Sequence, residues 1–187
     1  MPTLAPTLLL DIDDVIVLDR GVEFDKSRVD SLSAEGCRKL IHPPAGQALS
    51  QLVDELHPRI VVTSAWVRFT SQSAMERLLK LAGYDQVAQS LHDTWSAPRQ
   101  ASFTRLEVID QWLLTNHGGE PFCIIDDHAS GATLRDSPHD QAQRVLLCAA
   151  GVGLHLGHIP FVRRALLDLP PGPLASGEGG RAHTRRQ

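Results

Sequence analysis

Thr7-Leu8-Leu9-Leu10-Asp11-Ile12-Asp13-Asp14-Val15 is an apolar run that ends abruptly in acid. Such a run reads as a buried strand delivering carboxylates to its carboxyl end. In open α/β sheets, ligands bind outside that end. The pattern returns at Phe122-Cys123-Ile124-Ile125-Asp126-Asp127, and a third apolar run, Ile60-Val61-Val62-Thr63-Ser64, ends in hydroxyls. Side by side in one sheet, these runs bring Asp11, Asp13, Asp126 and Asp127 to one edge together with Thr63 and Ser64. That edge is the candidate site.

Amphipathic helices fill the intervals. Pro44 suits a first helical residue, and Ala45, Ala48, Leu49, Leu52, Val53 and Leu56 follow at helical spacing up to His57-Pro58. Ser73-Ala74-Met75-Glu76 has the form of a capping box, with Met75, Leu78, Leu79 and Ala82 as the buried stripe and Gly83 as the stop. A weak strand is expected over 86–91, then a polar loop through Trp95, Pro98 and Arg99. A second capping box, Thr104-Arg105-Leu106-Glu107, opens a helix carrying Val108, Ile109, Trp112 and Leu113. A polar connection with Asp136, Pro138 and Asp140 precedes a last strand over 144–149, and Pro160 begins a final helix. Strands alternating with helices predict a three-layer α/β sandwich with a parallel, Rossmann-like sheet.

At 187 residues and 20.5 kDa, with 42% hydrophobic and 21% charged residues, the chain suits one domain over 1–169. Residues 15–43 are mixed and polar and read as a small flap beside the site. From Pro170 the composition turns to Pro, Gly, Ser and Arg, which predicts a disordered tail. A net charge of −4 gives no global attraction to nucleic acid or anionic membranes. Three widely spaced cysteines argue against a disulfide framework, and no signal peptide or membrane-spanning run is visible, so a cytoplasmic protein is expected.

Asp11 and Asp13 are one residue apart, so in an extended chain they point to the same face. Two like charges that close are unfavourable unless a cation lies between them or one is protonated. Mg²⁺ prefers carboxylate oxygens and accompanies phosphate ligands. Asp126 and Asp127 would complete a Mg²⁺ site with Asp11 and Asp13. One such pair alone would read as a strand-end turn. Two pairs with a strand ending in hydroxyls read as a site.

Asp11-Ile12-Asp13-Asp14-Val15 resembles the first motif of the haloacid-dehalogenase-like (HAD) phosphohydrolases, Asp-x-Asp-x-Thr/Val. Ser64 resembles the second motif, a hydroxyl after a hydrophobic strand; Arg105 suits the third, a lone Lys or Arg; Asp126-Asp127 resembles the acidic fourth. A closer similarity is to the HAD domains of multi-domain RNA repair proteins, carried by Ser64-Ala65-Trp66, Arg105 through Trp112-Leu113, Ile124–Asp127 and Gly153-Leu154. The resemblance covers residues 7–169. It implies a Mg²⁺-dependent phosphatase in which Asp11 takes the phosphoryl group as an aspartyl phosphate. Asp13 would protonate the leaving oxygen and then activate water. Ser64 would bind the phosphoryl oxygens, Arg105 would balance their charge, and Asp126 and Asp127 would hold Mg²⁺ alongside Asp11.

Asp14 stands where these relatives usually have Gly, and its charge either faces the substrate or points to solvent. Lys80 and Arg99 are further candidates for the third-motif cation, and Thr63 for the second-motif hydroxyl. The short insert predicts a flap and no full cap domain; the resemblance implies that such an open site favours larger substrates such as nucleic-acid ends or proteins, the acidic charge pulls the other way, and the expected partner is a phosphorylated small molecule such as a nucleotide, or a nucleic-acid end. Two other readings use the same residues: a binding module that has lost turnover, and a carboxylate–metal nuclease with no covalent intermediate. Trp66 serves either the core or base stacking, and His128 is a candidate lining residue. His155 and His158 read as packing or surface histidines, and Gly151 and Gly153 as turn glycines.

Overall fold

The computed structural model describes residues 4–18, 25–97 and 102–170. Five strands, β1 (Thr7–Leu10), β2 (Arg59–Val62), β3 (Leu91–Ser96), β4 (Phe122–Asp127) and β5 (Val145–Cys148), form one sheet in the order β3-β2-β1-β4-β5. Every pairing is parallel, with Leu8 opposite both Ile60 and Cys123, and Leu10 opposite both Val62 and Ile125. The α/β Rossmann-like expectation is met. Chain order reverses between β1 and β4, which places a switch point where the two aspartate-bearing strands leave the sheet.

Alternation along β1 divides the core. Leu8 and Leu10 pack with Ile60, Val62, Cys123 and Ile125 under α1 (Ala34–Leu40), α2 (Pro43–Leu56), α3 (Gln72–Ala82), α4 (Asp85–Gln89) and α7 (Ile159–Leu166). Leu9 packs with Val61 and Ile124 against Val108, Ile109 and Trp112 of α5 (Arg105–Asn116). Burying one such leucine contributes about 1.5–3 kcal/mol, so each face of β1 is strongly specified. At the opposite end of the sheet, Thr7 Oγ1 donates to the buried Glu120 carboxylate at 3.0 Å.

Several elements differ from expectation. Ser71, not Ser73, caps α3 by accepting from the Ala74 N–H at 3.2 Å, while Glu76 faces Lys80. Where a strand was expected over 86–91 the chain makes α4, and the sheet edge follows as β3, through Trp95. Edge strands need fewer apolar residues, and His92, Asp93 and Thr94 hide the pattern. The polar connection after β4 contains a 3₁₀ turn over 132–134 and α6 (Pro138–Gln141). Within the expected flap, a 3₁₀ helix (Lys26–Ser31) and α1 form, and Val29 and Cys37 enter the core. Arg99 and the tail beyond Pro170 lie outside the described residues. Among those described, no helix is long and apolar enough to cross a membrane.

Candidate active site

Each site residue leaves a strand end or a helix start. Asp11 follows β1 directly, and its N–H donates to Ile125 O at 2.9 Å, which fastens it beside β4. Asp126 and Asp127 close β4. Thr63 follows β2, and Ser64 begins the 3₁₀ helix Ala65–Arg68, accepting from the Trp66 N–H at 3.4 Å. The capping box at Thr104 forms in full: Thr104 Oγ1 accepts from the Glu107 N–H and the Glu107 carboxylate accepts from the Thr104 N–H. It makes Arg105 the first residue of α5 and aims it inward, 4% exposed.

Arg105 joins the two carboxylate strands. Its Nη2 donates to Asp11 Oδ1 at 3.1 Å, and its Nε lies 2.9 Å from Asp126 Oδ2, close but not aligned as a hydrogen bond. Lys80, the rival cation, pairs with Glu76 on the surface of α3. Of the two hydroxyls, Ser64 favours the ionised form of Asp11, whereas Thr63 Oγ1 is buried with no hydrogen-bond partner.

One oxygen from each of Asp11, Asp126 and Asp127 lies within 4.8 Å of the others, and all three residues are buried. Three carboxylates against one guanidinium leave a formal surplus of two negative charges. Asp11 Oδ2 and Asp126 Oδ2 are buried without a hydrogen-bond partner. All-oxygen, formally in negative excess and with two oxygens lacking a hydrogen-bond donor, the cluster fits a hard divalent cation such as Mg²⁺. Burial pushes the Asp126 carboxyl up to about 8, with the charge of Asp11 adding and Arg105 opposing. Burial raises Asp11 as well, against the pull of Arg105 and Ser64. Asp127 is lowered: burial acts against ionisation, and the Ser130 and Ala129 N–H groups that its Oδ1 accepts outweigh it, at 3.0 and 2.6 Å.

Asp13 stands apart from that cluster. Its side chain is 40% exposed; Oδ1 accepts from Trp66 Nε1 at 2.9 Å and Oδ2 contacts Lys26 Nζ. Trp66 is therefore a core residue with its polar atom turned to the site. Lys26 carried no signal in the sequence, because it sits in a stretch without periodicity. Asp14 adopts a left-handed φ of 53°, and its Oδ1 accepts from the Gly151 N–H at 3.4 Å. A backbone in that region explains a preference for Gly better than charge does. His128 Nδ1 lies 2.9 Å from Arg135 Nη2 on the surface. His155 and His158 stack with ring centroids 3.9 Å apart, and Gly151 and Gly153 sit at φ 70° in turns.

No curated protein and no solved structure matches the chain significantly. The family model of the HAD domain in Swiss Army Knife RNA repair proteins matches residues 7–159. That span holds both aspartate pairs, Ser64 and Arg105. With its parallel sheet and its acidic edge at the switch point, the chain belongs to this family of HAD domains, of the HAD hydrolase type.

Proposed function

We propose that the chain is a Mg²⁺-dependent phosphatase that hydrolyses a phosphomonoester of a nucleotide or a nucleic-acid end. The observation that carries this reading is Asp11: buried, held on one oxygen by Arg105, with its other oxygen orphaned beside two further carboxylates. A carboxylate fixed on one side and open on the other is suited to in-line attack on phosphorus.

Asp11 Oδ2 forms the bond to phosphorus as the bond to the leaving oxygen breaks, and Asp13 gives that oxygen a proton. Asp13 then takes a proton from water, whose oxygen attacks phosphorus, and Asp11 and inorganic phosphate are released. Ser64 and Arg105 hold the phosphoryl oxygens. Phosphoryl transfer depends mostly on positioning and charge neutralisation, which these fixed groups supply. Mg²⁺, held by Asp11, Asp126 and Asp127, would add charge neutralisation at the phosphoryl oxygens.

The test is release of phosphate from an aryl phosphate with and without Mg²⁺, comparing wild type with Asp11→Asn. Mg²⁺-dependent release that the substitution abolishes is the expected result. Partial activity in Asp11→Asn would overturn the covalent step in favour of a metal-dependent nuclease-like site. Absence of turnover together with no uptake of beryllofluoride, a phosphoryl mimic, would leave a binding module.

A further inference from the structure

Both oxygens of Asp13 are engaged. Trp66, 1% exposed, commits its Nε1–H to Oδ1 at 2.9 Å. Lys26 Nζ contacts Oδ2 and lies 5.7 Å from the centroid of the Trp66 ring. A buried indole does not swing away, so Oδ2 is the atom of Asp13 able to face a leaving oxygen. Lys26 stands on that atom, which puts a cation on the leaving-group side of the site. Among the described residues, Arg105 and Lys26 are the cations in contact with the four strand-end aspartates, and Arg105 is tied between Asp11 and Asp126.

Lys26 differs from Arg105 in freedom as well as place. Its side chain is 30% exposed against 3% for Arg105, and it stands on a 3₁₀ helix outside the sheet. A lysine on a flexible stem can exchange one anion for another at little cost, and charge-assisted bonds to phosphate oxygens are among the strong ones. A neutral leaving group offers it nothing and leaves it on Asp13 Oδ2, in competition with proton transfer. An anionic leaving group draws it off and frees that oxygen.

Resting on the phosphatase reading, we infer that Lys26 is a specificity-determining residue that transfers from Asp13 to an anion on the leaving group. The favoured substrate is then a phosphomonoester whose leaving group carries a second phosphate. In the transfer the bond from phosphorus to the leaving oxygen breaks, the bond to Asp11 forms, and the proton on Asp13 Oδ2 goes to the leaving oxygen. Lys26 forms and breaks no covalent bond in the step.

The experiment compares kcat/KM for adenosine 3′,5′-bisphosphate with that for adenosine 3′-phosphate and 5′-phosphate, with Mg²⁺, in wild type, Lys26→Met and Lys26→Arg. A terminally phosphorylated dinucleotide, whose phosphodiester supplies the second anion, separates a nucleic-acid end from a free nucleotide. Wild type should prefer the doubly phosphorylated substrates by about tenfold, the worth of one charge-assisted contact in a half-exposed site. Lys26→Met should bring the ratio close to one, and Lys26→Arg should restore most of it. An unchanged ratio in Lys26→Met would overturn the inference and leave Lys26 as a structural ion pair. Calorimetric binding of the same ligands to Asp11→Asn and to Asp11→Asn with Lys26→Met reads the preference without turnover. If wild type turns over none of them, beryllofluoride uptake decides on the phosphatase reading, and the binding ratio alone decides on Lys26: loss of preference in the double variant upholds it, and equal binding overturns it.

Discussion

The Arg105 guanidinium lies 3.1 Å from the Asp11 carboxylate across a separation of 94 positions, with both side chains all but sealed from solvent. A pair buried this deeply strongly penalises the loss of either member, because the survivor is left charged and uncompensated. Arg105→Met should lower the stability of the metal-free protein by about 3–5 kcal/mol above about pH 8, where the facing carboxylates ionise, and by less at neutral pH, where protonation relieves them. Urea unfolding with and without Mg²⁺ checks this, and the ion should recover part of the loss only where Asp11 and Asp126 remain ionised.

Proton uptake by the carboxylates sets a second expectation. Asp126 rises from 3.8 to about 8 on folding, and Asp11 rises too, so the metal-free native state binds protons that the unfolded chain releases. The contribution of Asp126 to stability is therefore full below about pH 4 and is lost as pH climbs through about 8, and that of Asp11 is lost in the same direction. Mg²⁺ needs the deprotonated oxygens, so its binding should expel protons and tighten with pH. The rise in unfolding temperature caused by Mg²⁺ should be larger at about pH 8.5 than at about pH 6.

Gly131 closes the turn beneath the second aspartate pair. A Cβ there would lie 2.7 Å from Asp127 O, 2.8 Å from Leu147 Cδ2 and 3.1 Å from Asp126 Cβ. A backbone oxygen cannot give way as a side-chain end can. Gly131→Ala should cost about 1–3 kcal/mol and displace both carboxylates. Weaker Mg²⁺ binding by calorimetry, in a variant that still unfolds cooperatively, is the expected signature.

Trp66→Phe keeps a buried ring but removes the N–H that holds Asp13 Oδ1. Poor leaving groups depend on a well-placed acid, whereas acidic phenols leave without one. The kcat/KM for alkyl phosphates should fall by about 10–100-fold, with a much smaller loss on nitrophenyl phosphate. An equal fall on both would show that the indole matters only to packing.

Asp14, at φ 53°, tests the reading of the first motif. Asp14→Gly should stay within about 1 kcal/mol of wild type, since relief of the backbone offsets the loss of side-chain contacts, that with Gly151 among them. Asp14→Val should be destabilised by about 1–2 kcal/mol, as a β-branched residue in that region is strained. Thermal unfolding separates the two.

The central strands and the switch point were legible because β1, β2 and β4 are apolar on both faces and end in polar residues. Arg105 was legible for a local reason: Thr104 and Glu107 fix where α5 starts, and the helix start fixes where the guanidinium goes. The cap of α3 was misplaced by two residues because Ser73 has Glu76 at capping-box spacing and Ser71 does not, and only the fold reserves Glu76 for Lys80. β3 escaped notice as a polar edge. Lys26 could not have been found, since its partners Asp13 and Trp66 are brought to it by tertiary packing and no spacing encodes them. Asp13 was grouped with the metal ligands from its spacing to Asp11, yet the chain turns after Asp11 and sends the two carboxylates to different neighbours.

The acidic cluster draws on β1 and β4, and every element from α1 to α5 lies between them in the chain. A nascent polypeptide that has released β1 and β2 displays Asp11 and Ser64 with neither the guanidinium nor the second aspartate pair. Hydroxyls and one acidic strand end cannot retain a divalent ion against water. Only when the residues up to Asp127 have emerged and docked does the edge acquire its surplus charge. A chain stalled before Phe122 therefore lacks two of the three carboxylates of the candidate metal cluster.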